Sequence, residues 1–220
     1  MTELLLKLVA SYLVGSLIGS LIVGRLRGGV DIRTLGSGNA GGTNALRTQG
    51  KGFALWVILI DIGKGLIATR LIAPLSLPGM DLAGSVAAIG SLREWLPVAC
   101  GFAAMLGHIY PAWHGFRGGK GVATLVGVLL GIDPLLLLLV LVTWVAAAML
   151  LGFVGLASIL AALAVPLFVI AFDLEPQTPL FAFGVAVALL VLYTHRANIA
   201  RMIAGTEPRA RRIWLFRRER

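Results

Sequence analysis

Seven stretches of this chain read as membrane helices, and no other feature limits the fold so tightly. They run at 4–24, 53–74, 92–110, 120–132, 134–151, 153–172 and 178–194. A helix crossing the hydrocarbon takes about 20 mostly apolar residues, and in lipid the backbone must satisfy its own polar groups. An all-α, polytopic helix bundle with seven transmembrane helices is therefore predicted, forming one domain over 1–220. With 58% hydrophobic residues, 13% charged residues and a mean hydropathy of +0.93, a soluble domain is excluded. The fourth stretch is short and is expected to start from a loop that dips into the membrane. Gly84 to Gly90 fits either a short helix or part of the third span.

The first stretch is expected to stay in the protein and not to be a cleavable signal: Glu3 and Lys7 stand at its front and its strongest positive charge follows it. Ser11, Gly15, Gly19 and Ser20 give it a small-residue stripe, repeated at Gly127 and Gly131, which predicts close helix packing. A lone Cys100 excludes an intramolecular disulfide.

Charge sets the orientation. Five of the 19 Lys and Arg residues lie between the first two spans, two between the third and fourth, and eight after the seventh. With seven spans these regions share a side, and the positive-inside rule makes it the cytoplasm, with the N-terminus outside. The opposite loops carry Asp81, Arg93, Glu94, Asp133, Asp173 and Glu175. The net charge of +9 is thereby explained by topology and by an anionic inner leaflet, with no nucleic acid as partner. The tail from Arg211 to Arg220, with Trp214, Leu215 and Phe216 among arginines, reads as interfacial.

Three polar segments stand out. Gly118-Gly119-Lys120-Gly121 offers glycine backbone N–H groups and a cation to an anion. Its spacing is wrong for a Walker loop, since Gly115 is one position too close and Gly121 follows the lysine. By itself the tetrapeptide also fits a plain bend between helices. The loop from Asp31 to Arg47 carries hydroxyls, amides and arginines on a pliable backbone, which suits a polyol phosphate better than a metal. In the third segment His195 and Asn198 share a face if the helix continues, while the bland alternative is an interfacial helix end. Asp61 and Lys64 lie inside a span at a spacing that allows an ion pair, and are expected to buttress the fold. His108 and His114 are expected to be structural or hydrogen-bonding, with no metal and no cofactor.

Together the segments resemble the bacterial PlsY family, integral-membrane glycerol-3-phosphate acyltransferases that use acyl phosphate. The resemblance runs from the first span to Glu207 through Gly36-Ser37-Gly38-Asn39, Thr43-Asn44 and Arg47, then Gly107-His108 through Phe116 to Thr124, then His195-Arg196-x-Asn198 through Gly205 to Glu207. Asp61, Lys64 and Gly65 also look like the family's second span. Ala40 and Gly42 depart from the proline and alanine common there. The resemblance implies acyl transfer from acyl phosphate to the 1-hydroxyl of glycerol 3-phosphate, giving lysophosphatidic acid and phosphate, an early step of phospholipid synthesis in the bacterial inner membrane.

On this reading Ser37 and Arg47 align phosphate or the attacking glycerol, and Gly118, Gly119 and Gly121 form a phosphate loop. Lys120 neutralises charge as phosphate leaves. His195 and Asn198 hold the glycerol phosphate or the reacting carbonyl, and Glu207 fixes the third segment. Arg33, Asn39, Thr43, Asn44 and Thr124 support the binding set, Asn44 as the most direct of them. The family looks as if the acyl phosphate itself takes the proton. Ser37 sits in no nucleophile-elbow sequence, and no histidine is followed by aspartate five positions on. Implied partners are membrane lipid and a cytosolic enzyme that makes acyl phosphate. A small transporter for a phosphorylated metabolite is the competing reading.

Overall fold

A computed structural model describes residues 2–76, 92–174, 177–210 and 213–216, and the Gly84 to Gly90 question lies outside them. All described secondary structure is helical, and each of the seven predicted stretches is a helix or a helix pair. Four helices are long and apolar enough to cross a membrane, or five when one bent pair counts as a single span. The chain forms two compact units, Met1–Asp133 and Pro134–Arg220.

The first unit opens on that bent pair, α1 (Thr2–Gly15) and α2 (Gly19–Leu26), whose axes differ by 46°. The break between them exposes backbone groups that hydrocarbon would not satisfy. Here α4 (Lys51–Ile67) supplies the partners: Lys64 Nζ donates to the Leu17 carbonyl at 3.0 Å, and Gly19 N–H donates to Asp61 Oδ1 at 3.2 Å. The Asp61 carboxylate thus stands at the N-terminus of α2, where the helix dipole favours a negative charge. The short α3 (Gly42–Gln49) precedes α4, which continues through a π-helical turn, Ala68–Ile72. At that far end Lys7 Nζ donates to the Ala73 carbonyl at 2.9 Å and pairs with Glu3 at 2.7 Å, so the early charges of α1 are buried and matched.

Small residues bring these helices together as their stripe predicts. A Cβ on Gly15 or Gly107 would strike the backbone of the facing helix where α1 crosses α5 (Leu92–Ile109). Gly65 and Gly127 do the same where α4 crosses α6 (Val122–Ile132), the short fourth stretch.

In the second unit α7 (Pro134–Leu151), α8 (Val154–Ala171) and α9 (Gln177–Thr194) run up and down, and α10 (Arg196–Ile203) follows. Trp144 Nε1 donates to Ser158 Oγ at 3.1 Å between α7 and α8, and Gly184 of α9 packs against Pro166 of α8. Leu138, Leu167 and Leu189 stay largely exposed on these helices, as suits faces solvated by acyl chains. The two apolar hairpins put the α7–α8 turn and α10 at the same end of this unit.

Candidate active site

In the first unit the loop after α2 and the glycine segment after α5 meet. Arg33 joins them: its guanidinium donates to both Asp31 carboxylate oxygens and reaches across to the carbonyls of His114 at 3.1 Å and Arg117 at 2.9 Å. These hydrogen bonds from Arg33 hold the Asp31 carboxyl below the usual carboxylate range, while burial opposes them. The same contact raises the Arg33 pKa. Burial, with the Arg33 charge behind it, lowers the His114 pKa and keeps that ring neutral near pH 7.

Asn44 organises the first loop. Its Oδ1 accepts from Ser37 N–H at 2.9 Å, and its Nδ2 serves the carbonyls of Ile32, Leu35 and Asn39 at 2.9–3.0 Å. Buried to 2% exposure, it shapes the loop from within, so its amide holds residues where the sequence suggested it would touch ligand. Asn39 Oδ1 accepts from Gly41 N–H in a local turn. The result is an exposed rim of Ser37, Thr43 and Arg47, with Gly36 and Gly38 at φ 58° and 70° on either side of Ser37. Among the described residues no side chain hydrogen-bonds Ser37 Oγ.

The glycine segment folds back on the end of α5. Gly118 N–H donates to the Ile109 carbonyl at 3.1 Å and Gly119 N–H to the His108 carbonyl at 3.0 Å. A Cβ on Gly118 would hit the His108 carbonyl, and one on Gly119 would hit His108 Nε2. These two glycines are therefore required by their seat on His108, and their N–H groups serve the protein rather than an anion. Lys120 and Gly121, at φ 86°, then lead into α6, whose first N–H groups have no partner within the helix. Thr124, fully buried in that first turn, has its hydroxyl unpartnered.

His108 in turn rests on a buried ion pair. Lys64 Nζ lies 2.9 Å from Asp61 Oδ1 and 2.6 Å from His108 Nδ1, with His108 Nδ1 3.4 Å from Asp61 Oδ1. The expected Asp61–Lys64 pairing is present. Their sequence spacing gave no sign that His108 would join them or that the pair would also secure the break at Ser16–Ile18. Among the described residues no three His, Cys, Asp or Glu side chains converge.

In the second unit the helix does not run straight through the third segment. His195 interrupts it at φ −96° and ψ 7°, although its N–H still donates to the Val191 carbonyl. Its Nδ1 donates to the same carbonyl at 2.9 Å, which fixes the orientation of the ring. Asn198 Nδ2 donates to Glu207 Oε1 and Arg201 Nε to Glu207 Oε2, both at 2.6 Å. Glu207 thus ties the chain after α10 back onto it, the role expected of it. His195 and Asn198 are both buried.

A model of the family described as glycerol-3-phosphate acyltransferase matches residues 5–205. A glycerol-3-phosphate acyltransferase of Paramagnetospirillum magneticum is 44% identical, covering 95% of this chain and 94% of its own. One of Chlorobaculum tepidum is 40% identical, covering 95% and 97%. Two crystal structures of PlsY, an integral membrane glycerol 3-phosphate acyltransferase, are also similar, each covering 94% of both chains. Its glycerol 3-phosphate form gives a TM-score of 0.79 at 32% identity and its lysophosphatidic acid form 0.78 at 31%.

Proposed function

Because the chain belongs to the glycerol-3-phosphate acyltransferase family, we propose that it moves a fatty acyl group from acyl phosphate to the 1-hydroxyl of glycerol 3-phosphate. The hydroxyl oxygen bonds to the acyl carbon, the bond from that carbon to phosphate oxygen breaks, and the hydroxyl proton leaves with the phosphate. The products are lysophosphatidic acid and inorganic phosphate. A match running from residue 5 to 205 supports reading the chain as one acyltransferase domain.

One observation carries the assignment within the first unit. The Arg33 bracket holds the Ser37–Arg47 rim and the Lys120 loop together at one end, beside the first turn of α6. Two phosphorylated reactants repel each other, and a cluster of fixed cations and N–H donors offsets that repulsion while aligning the reacting atoms. In this assignment Arg47 and Lys120 carry the cationic work and Ser37 aligns a phosphate or the glycerol. Gly118 and Gly119 set the height of the loop, while Gly121, Thr43 and Thr124 complete the binding surface with Asn39 and Asn44 in support. The absence of an imidazole on Ser37 Oγ among the described residues supports alignment over acylation of this serine. His195 and Asn198 are assigned to the same reaction on sequence grounds, with Glu207 holding their segment.

Seven spans with the N-terminus outside complete the proposal. The basic segments then face the cytoplasm at the inner membrane, where a soluble enzyme would deliver acyl phosphate.

Purified protein should form lysophosphatidic acid from glycerol 3-phosphate with acyl phosphate and not with acyl-CoA. Lys120→Ala and Arg47→Ala should each lower kcat/KM about 100-fold or more, as loss of a fixed charge donor does. Radiolabelled acyl protein that survives denaturation would replace this direct transfer with an acyl-enzyme.

A further inference from the structure

Residues 208–210 and 213–216 lie beyond the family match, which ends at residue 205, yet this segment is bound to the second unit by definite contacts. Ala210 N–H donates to the Gly152 carbonyl at 2.8 Å and Leu215 N–H to the Met149 carbonyl at 3.0 Å, so the segment straps across the α7–α8 turn. Gly152, at φ 76°, has the Trp214 ring where a Cβ would stand. Arg209 places its guanidinium carbon 4.7 Å from the Phe153 ring centroid and 4.1 Å from that of Trp214. Since α7 and α8 are each long and apolar enough to cross a bilayer, the turn between them stands at a membrane surface, and the strap with it.

Three properties of the strap point to one ligand. First, a cavity of about 560 Å³ separates it from α7, walled by Trp144, Ala148 and Met149 on one side and by Ile213, Trp214 and Leu215 on the other. Leu215 and Phe216 are 58% and 64% exposed beside it, an arrangement suited to acyl chains and not to water. Second, the Arg209 guanidinium packs against two aromatic rings, and no carboxylate among the described residues pairs with it. Third, residues 209–220 include six arginines against one carboxylate, a charge that attracts anionic headgroups and disfavours a headgroup carrying its own ammonium.

We propose that the strap is a binding site for one anionic glycerophospholipid of the surrounding leaflet, its acyl chain in the cavity and its phosphate on Arg209. The site is built from residues of the second unit alone and does not depend on which acyl donor the enzyme uses.

The test reads Trp214 emission in the full-length protein, taken as the difference between the unaltered chain and Trp214→Phe. The protein is held in phosphatidylcholine nanodiscs doped with brominated phosphatidylglycerol or, in parallel, with the same fraction of brominated phosphatidylcholine. The anionic lipid should quench Trp214 about twofold more or better, as local enrichment at a basic surface requires. Arg209→Gln should bring the two lipids level. In the unaltered chain, added salt should shrink the difference and inorganic phosphate at constant ionic strength should leave it unchanged. Equal quenching by both lipids in the unaltered chain overturns the site, and so does a preference that persists undiminished in Arg209→Gln and in high salt. Acyl transfer is measured on the same samples, so failure of the lipid site is distinguished from failure of the enzyme.

Discussion

Several buried or bracketing side chains of this protein act through others in the proposed site. Arg33 touches both loops of the first unit yet spends its donors on Asp31 and on two carbonyls, so it fixes spacing, and the proposed charge work falls to Arg47 and Lys120. Its partner gives a pH signature. The folded-state pKa of Asp31 is lowered, so the bracket contributes its full stability above the ordinary carboxylate pKa of about 3.9 and loses it as pH falls through the lowered value. Thermal midpoints of the unaltered protein and Asp31→Asn should differ at pH 7 and converge toward pH 3. Gly119 offers a second test. An added Cβ would overlap His108 Nε2, and that ring is pinned by Lys64, so neither side yields easily. Gly119→Ala should lower kcat/KM about tenfold or more without abolishing folding, and the double variant with His108→Ala should fall short of the sum of the two losses. The sequence marked Gly119 through its glycine run, but the reason it offered was an anion. The structure shows that the imidazole beneath is what excludes a side chain.

Among the elements, the bent pair α1 and α2 decides the most. Apolar length reads 4–24 as one helix, and no local signal marks the interruption at Ser16–Ile18 as stable. It persists because α4 brings a buried lysine to the Leu17 carbonyl and a buried carboxylate to the Gly19 N–H. Removing one member of the pair strands the other charge in a dry interior, a loss of about 3–5 kcal/mol. Asp61→Asn or Lys64→Met alone should therefore lower the thermal midpoint in detergent strongly. The double replacement should be milder than the sum of the two, and an additive result would remove the pairing from this account. A comparable distinction applies at α10, where the sequence puts His195 and Asn198 on one face only if the helix continues. The chain turns at His195 instead, and Glu207 compensates by holding Asn198 and Arg201 from beyond the helix end.

For the whole molecule, the proposed topology can be read by labelling. In a Cys100→Ala background, single cysteines at Ser37 and Arg209 should react with an impermeant thiol reagent only from the cytoplasmic side, and one at Thr2 only from outside. Reaction of Ser37 and Arg209 from opposite sides would end the proposed reading of the charge distribution. What the sequence by itself determined was the solvent, the apolar helical stretches and the residue types of the three polar segments. Each of these follows from hydrophobicity, charge or glycine content within a short window of chain. What only the tertiary structure decided was the set of partners. Arg33 meets carbonyls more than 80 residues away, Lys64 meets Leu17 and His108 from 47 and 44 residues away, and the strap meets Gly152. A buried polar group must find its partner wherever packing brings one, and a window of sequence carries the need for that partner without carrying its address.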